Sequence, residues 1–353
     1  VRSVEYTPAD FDSLRVAATK LGVASLCHRP YVDHYYAGGP WSRLHLVRDA
    51  ADAIVGLIGL DRMRFACGDG HRELTFATNF HAGQPGVGGL LYLHWMKSSP
   101  LGLVFGGSPD THAILRRQRW TYFPGVKVYA LNRRYRVGAT EPLWKRWAKG
   151  LLASVPRAGV ASRVRRLPRT VRDGIAVREV DRIDGDMPPR TSPFAFRFAP
   201  TAEYANWRYN TWLSFARYRV FRLSKHGRAF GYVVLRDAPD EVVVAHCEGD
   251  DATALAHGVL LSLDAMSAGS REVRLACSHP GMAAVYERFG FRVHGAERPL
   301  AVGAASGKVD LPPDAATWLV NLAWGDNDLR APFLDQVAAP LGGSLDTAEP
   351  LRA

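Results

Sequence analysis

Glu73-Leu74-Thr75-Phe76-Ala77-Thr78-Asn79-Phe80-His81, followed by Gly83-Gln84-Pro85-Gly86-Val87-Gly88-Gly89 and then by Leu90 to Lys97, is the stretch on which the reading of this chain turns. Its first part is rich in β-branched and apolar residues and predicts a strand, its last part predicts a helix, and a glycine-rich turn joins them. Without Cβ atoms the backbone of such a turn can approach a ligand closely. The N–H groups at the start of the helix, aided by its dipole, then favour a pyrophosphate. A P-loop would need GxxxxGK(S/T), which is absent. A dinucleotide-binding fold would put its glycines after the first strand, whereas here Leu44–Arg48, Ala53–Arg64 and Glu73–His81 all read as strands. The last two are joined as a hairpin through Gly68-Asp69-Gly70.

Working outward, Pro8 to Leu21 has apolar residues at helical spacing, with Thr7 placed as an N-cap. After the glycine turn, Leu101–Gly106 predicts a strand, Asp110–Arg119 a helix and Lys127–Asn132 a strand that closes this half. The second half repeats the order. Tyr218–Leu223 and Ala229–Arg236 form a hairpin, Glu241–Cys247 is a strand, Ala252–Ala268 a helix, Glu272–Ala276 a strand and Met282–Phe289 a helix. The best local match sets Ser108-Pro109-Asp110 and the residues to Trp120 against His279-Pro280-Gly281 and the residues to Phe291. An internal duplication follows, and with it an α+β fold: a mixed, mostly antiparallel sheet with flanking helices, present twice.

The composition agrees. The chain has 353 residues, 47% of them hydrophobic and 22% charged, which excludes a disordered or collagen-like protein and suggests two domains. The boundaries read as 1–140, a basic connector over 141–174, 175–330, and a tail over 331–353. A formal net charge of +11 calls for an anionic partner such as a phosphorylated cofactor, a nucleotide sugar, nucleic acid or anionic lipid. Nine Lys or Arg and no Asp or Glu lie between Pro142 and Arg172. There Trp144, Trp147, Leu151, Leu152 and Val155 share one helical face, opposite Lys145, Arg146 and Lys149. Such a helix can lie on an anionic membrane or dock an acyl carrier protein; equally, its apolar face can pack between the domains. Cys27, Cys67, Cys247 and Cys277 form no CxxC pair, so no metal site or disulfide framework is expected. No apolar run reaches the ~18 residues of a membrane span, and the first residues lack the apolar core of a signal peptide, so a cytoplasmic location is expected. The start at Val1 leaves room for residues upstream.

The order helix, strands, glycine turn, helix, strand, helix, strand resembles that of the GCN5-related N-acetyltransferase (GNAT) superfamily. The family's Arg/Gln-x-x-Gly-x-Gly/Ala pattern is met by Gly86 and Gly88; Gly83 stands at its Arg/Gln position and Gln84 comes one place late. A later family motif, Tyr-x-x-x-Gly-Phe after an alanine-containing helix, is met by Ala284, Tyr286, Gly290 and Phe291, with Leu115, Arg119 and Trp120 as its counterparts in the first half. The chain thus looks like tandem GNAT folds, the first keeping the phosphate loop. In the second, Glu248-Gly249-Asp250-Asp251 occupies the turn and its carboxylates should repel a pyrophosphate. Tyr204 to Thr211, with Asn206-Trp207-Arg208-Tyr209, resembles an element of tandem GNAT proteins of bacterial surface-sugar gene sets, and Trp318 to Asp328 resembles their closing strand.

This resemblance implies an acyl-CoA-dependent N-acyltransferase acting on a primary amine, with a nucleotide-linked amino sugar as the favoured acceptor and acetyl-CoA or another acyl-CoA as cofactor. It places cofactor contacts at Thr78, Asn79, Gly83, Gln84, Gly86, Val87, Gly88 and Gly89, those at Thr78 and Asn79 being where the oxyanion is met. His81 is the first candidate base because imidazole titrates near neutral pH. Glu73, at the far end of the same strand, is the second, and Tyr286 matches the family's general-acid tyrosine. For the acceptor, His34, Tyr35 and Tyr36 offer aromatic and polar contacts. Arg208, beside Tyr209, can fork onto a phosphate or carboxylate or can pair with an acid at the domain interface. Two alternatives stand beside this reading: an aminoacyl-tRNA-dependent transferase of the peptidoglycan-bridge-ligase type, and a non-catalytic module that binds a carrier protein or membrane. The glycine turn disfavours the first, and no nucleic-acid partner is expected.

Overall fold

The computed structural model describes residues 1–68, 70–133, 142–145, 147–148, 159–307, 309–324, 328–329 and 331–337. The first half runs β1 (Arg2–Glu5), α1 (Phe11–Leu21), α2 (Arg29–Tyr36), β2 (Ser42–Arg48), β3 (Ile54–Cys67), β4 (Gly70–Ala82), α3 (Val87–Ser98), β5 (Leu101–Phe105), α4 (Pro109–Arg117), β6 (Thr121–Phe123) and β7 (Lys127–Leu131). The second runs β8 (Ala176–Val180), β9 (Phe196–Phe198), helix Ala202–Arg208, β10 (Tyr218–Lys225), β11 (Arg228–Asp237), β12 (Glu241–Gly249), helix Ala252–Ala265, β13 (Glu272–Cys277), helix Pro280–Phe289, β14 (Arg292–Val293), β15 (Leu300–Ala304) and β16 (Trp318–Leu319).

The α+β architecture expected from the sequence is present: two mixed, mostly antiparallel sheets with flanking helices. The duplication extends to single hydrogen bonds. Ser108 and His279 each cap a helix whose next residue is proline, accepting from the amides of Thr111 and Met282. Both helices end alike, with Trp120 N–H donating to Leu115 and Phe291 N–H to Tyr286, each at 3.0 Å. The left-handed residue at that end is Gly290 in the second half and Arg119, with φ of 58°, in the first.

Three features differ from the sequence expectations. Arg29–Tyr36, read only as an aromatic and histidine cluster, is a helix. Pro30 sits in its first turn, and Tyr31, Val32, Tyr35 and Tyr36 bury one face. The predicted first helix is split, with Pro8–Asp10 a 3-10 turn and Asp10 the cap of α1. Lys127–Leu131 does not close the first sheet. The first sheet runs β1-β2-β3-β4-β5-β15-β6 and the second β14-β7-β13-β12-β11-β10-β8, so each half lends a strand to the other. β15 lies between β5 and β6, and β7 between β13 and β14. Val128 to Leu131 are all buried, so β7 needs neighbours on both edges. On β15, Gly303 lies against the Trp120 indole, which a Cβ would overlap.

The parallel pairs at the centres of the sheets separate early. β4 meets β5 only at Thr75↔Gly102 and Phe76↔Leu103, although β4 continues to Ala82. β12 meets β13 only from Glu241↔Glu272 to Val243↔Arg274, although β12 continues to Gly249. Each sheet therefore contains a wedge.

Of the basic connector, Arg146, Lys149, Leu151, Leu152 and Val155 lie outside the described residues, whereas Leu143, Trp144 and Trp147 are 71%, 68% and 72% exposed. No described helix is long and apolar enough to cross a membrane.

The strand exchange sets an expectation. Residues 1–140 expressed alone lack β15 and should be recovered as aggregate, because both edges left at the gap stay unpaired. Co-expression with residues 141–353 should return a soluble, co-purifying complex. Soluble monomeric halves on gel filtration would contradict the topology.

Candidate functional site

The glycine turn lies where β4 leaves the sheet. Gly83 N–H donates to Val55 O at 2.8 Å, which holds the turn to β3. Gly86, at φ of 83°, is the N-cap of α3 and offers no side chain to its first amides. Positions 82 to 86 are exposed, while Val87 is buried against β3. Val87 N–H donates to Gln84 O at 3.3 Å, and the next amides, of Gly88 and Gly89, are left to solvent or to an anion.

The second half has the same junction with a different outcome. Asp250 N–H donates to Phe230 O at 3.0 Å, the counterpart of the Gly83 bond. Here the N-cap is Asp251, whose Oδ1 accepts from Ala254 N–H at 2.6 Å. The chain supplies its own carboxylate where the first half offers glycine. Glu248, read from the sequence as one of the repelling carboxylates, is turned inward and paired with Arg197. Burial is the main cause that pushes its carboxyl up to about 7, against the pull of Arg197. A cavity of about 520 Å³ opens beside this second turn, between Lys225, Arg228, Asp250, Asp251 and His257. The capped helix amide beside it makes it a poor pyrophosphate site.

The two wedges differ in the same sense. In the second, Trp318 to Asp328 was expected to be a closing strand. Instead only Trp318–Leu319 pairs, with β9, and the chain then turns into the gap. Ala323 N–H donates to Ala245 O at 2.9 Å. The Asn321 side chain accepts from Cys247 N–H at 3.1 Å and donates to Cys247 O at 3.3 Å, so its amide serves as a surrogate strand neighbour. Among the described residues no such segment pairs with β4 past Phe76 on its β5 side, and Ala77 and Phe80 there are only partly buried.

At the mouth of the first wedge a β-bulge places Asn79 at φ of 47°. Asn79 Nδ2 donates to the Tyr36 hydroxyl at 2.8 Å, and that hydroxyl lies 3.2 Å from Thr78 Oγ1. Gly59 makes room, since a Cβ there would overlap both oxygens. Along β3 the pairs Leu57↔His81, Gly59↔Thr78 and Asp61↔Phe76 follow one another on the face turned toward the second half. His81 is therefore about 7 Å, two strand residues, from the Gly59 position. Its partial burial lowers its pKa and keeps the imidazole neutral. Glu73, opposite Arg64 and exposed, is about 26 Å along the strand from His81 and is not brought to this site. Tyr286 is buried in the second half's core beside Phe291.

His34, Tyr35, Arg208 and Tyr209 do come together, at the seam between the halves. His34 stacks on Trp207 at 5.6 Å. Arg208 is 2% exposed and pairs with Asp328 Oδ1 at 2.7 Å. It also donates to the Tyr35 hydroxyl and, at 3.1 Å, to that of Tyr218, which itself donates to Asp328 Oδ2 at 2.7 Å. The guanidinium is thus committed to the protein. Sequence reasoning did not select Asp61, which is 6% exposed and lies across from Ser42. Its signal was an acid in the inward phase of the alternation Leu57, Gly59, Asp61, Met63, Phe65.

No protein-family model matches the sequence, and no curated protein matches it significantly. Solved structures do match in shape. A GCN5-related N-acetyltransferase from Anabaena variabilis ATCC 29413 aligns with a TM-score of 0.55 at 9% identity, over 86% of this chain and 72% of that one. A conserved protein of unknown function from Enterococcus faecalis V583, described as a probable N-acyltransferase, aligns at 0.51 and 11% identity, over 86% and 72%. A protein from Pyrococcus horikoshii proposed to be an acetyltransferase aligns at 0.51 and 10%, over 90% and 94%. The chain has the GNAT fold.

Removing the seam's cation should be costly, because Asp328 is left as a buried, uncompensated charge. Arg208→Ala is expected to lose about 3–5 kcal/mol in urea unfolding, and a loss below 1 kcal/mol would show that the pair does not hold the halves together.

Proposed function

We propose that the protein is an acyl-CoA-dependent N-acyltransferase whose first half binds the donor and whose acceptor is a primary amine, with a nucleotide-linked amino sugar as the favoured class. The observation that carries the reading is the asymmetry between the halves among the described residues: an uncapped helix and an unfilled wedge in the first, a carboxylate cap and an inserted asparagine in the second. An anionic, amide-bearing donor suits the first half on both counts, its pyrophosphate at the α3 amides and its arm along the free edge of β4. Transfer from aminoacyl-tRNA would make no use of that turn.

In this reading the backbone around Thr78 and Asn79 meets the oxyanion, Gly83 to Gly89 hold the pyrophosphate, and neutral His81 takes the proton as the amine attacks. The amine nitrogen forms the C–N bond, the C–S bond breaks, and the thiol leaves with a proton.

Isothermal titration should find one acetyl-CoA per chain and none in Gly86→Glu, which sets a carboxylate at the anion site; unchanged binding by that variant would sink the assignment. Because burial lowers the His81 pKa, the basic form persists as pH falls, and the acid-side midpoint of kcat/KM should lie below that of an ordinary imidazole. His81→Ala should lower kcat by about 100-fold or more while leaving acetyl-CoA affinity intact, and a smaller loss would point the proton elsewhere.

A second reading concerns the connector alone. The exposure of Leu143, Trp144 and Trp147 beside Lys145 suits an anionic lipid surface. Sedimentation with phosphatidylglycerol vesicles should be lost on Trp144→Ala with Trp147→Ala; protein that stays in the supernatant from the start would exclude it.

A further inference from the structure

The cavity of about 520 Å³ beside the second turn has the volume of a small-molecule site and takes no part in the donor reading. No residue of β13 or of helix Pro280–Phe289 lines it, so it is separate from the second wedge. Part of its rim is the β10–β11 hairpin, which turns at His226 and Gly227 with φ of 50° and 76°, as a tight two-residue turn requires. That turn sets Lys225 directly across from Arg228. Like charges in this position repel and weaken a hairpin, and an anion between them removes the repulsion. The rim continues through Asp250 and Asp251, at the start of helix Ala252–Ala265. Among the described residues, the side chains of Lys225, Arg228 and Asp250 have no ion-pair or hydrogen-bond partner, so charges of both signs line one cavity without pairing. Ile175 and Phe230, both buried, give it an apolar wall. The corresponding hairpin of the first half is completed differently. Arg48 pairs there with Asp10 at 2.7 Å and with Asp52 at 3.2 Å, and Arg2 also reaches Asp52. Asp49 accepts from the amides of Ala51 and Ala53.

A ligand that answers to this set carries an anion for Lys225 and Arg228, a cation for Asp250 and an apolar group for the wall. Phosphate meets only the first demand, and the two carboxylates repel it. We propose that the cavity binds a free α-amino acid with an apolar side chain, its carboxylate between Lys225 and Arg228, its ammonium at Asp250 and its side chain against Ile175 and Phe230. One zwitterion then relieves the cross-strand repulsion and pairs the unpartnered acid in the same event. His257, which also lines the cavity, has its pKa lowered chiefly by burial, so its imidazole is neutral and adds a hydrogen-bonding group without a further charge. The inference does not depend on the donor reading; it gives the second half a ligand of its own.

The test is equilibrium dialysis of the full chain against radiolabelled L-leucine, L-methionine and L-phenylalanine. Wild type should bind at least one of them at a single site. The deaminated acid and the amide of that amino acid, which lack the ammonium and the carboxylate respectively, should each compete about tenfold less well. Lys225→Ala combined with Arg228→Ala, and separately Asp250→Asn, should weaken binding about fivefold or more; all three side chains are exposed, so these variants keep the fold. Thr253→Trp, at an exposed position that lines the cavity, fills it with an indole and should abolish binding. Binding of none of the three amino acids overturns the inference. So does a deaminated acid or inorganic phosphate that competes as well as the amino acid, or binding that the variants leave unchanged.

Discussion

A strand in the middle of a sheet must pair its N–H and C=O groups on both sides, and this requirement organises the molecule. β4 and β12 each begin beside a parallel neighbour and then lose it. In the second half the deficit is met internally by Asn321, whose amide copies the hydrogen bonding of a strand at Cys247, and by Ala323. The same half meets the matching deficit at its helix start with Asp251. Among the described residues the first half leaves both open, and they adjoin each other, one at the edge of β4 and the other at the α3 amides that follow it in the chain. One duplicated frame has been closed by its own side chains in one copy and is left open among the described residues in the other.

The exchange of β7 and β15 makes the copies inseparable. Each sheet is completed by a strand from the other half, so the faces that carry Asp61 and His246 are held in register by covalent connection as well as by packing. Arg208 and Asp328 add a buried ion pair whose surrounding tyrosines satisfy the remaining donors and acceptors. Pairs of this kind contribute little net stability against an apolar alternative, but they are costly to break. They fix one relative position of the halves.

The parts of this arrangement that were legible in the sequence are those written locally. The glycine turn, the strand before it and the helix after it follow from residue type and spacing, and Ser108 and His279 announce matching caps before a proline. Strand exchange was not legible, because Lys127–Leu131 reads as the same strand whichever sheet receives it. α2 was hidden by its β-favouring aromatics, which occupy a helical face only because the seam buries them. Tertiary context also redirected charge. Glu248 looked like part of an acidic surface and is buried against Arg197, and Arg208, read as either an anion ligand or half of an interface ion pair, is the latter, with Asp328.

The acidic turn of the second half illustrates how far such a reading can go. From composition, its carboxylates exclude a pyrophosphate by repulsion, a long-range effect that salt would screen. In the folded chain the exclusion is local and steric in kind. Asp251 occupies the amide that a phosphate oxygen would need, at 2.6 Å, and it would do so at any ionic strength. The two halves therefore differ less in net charge than in which atom completes the same helix. That difference rests on a single N-cap position: Asp251 completes its own helix in the second copy, and Gly86 leaves the matching helix start open in the first.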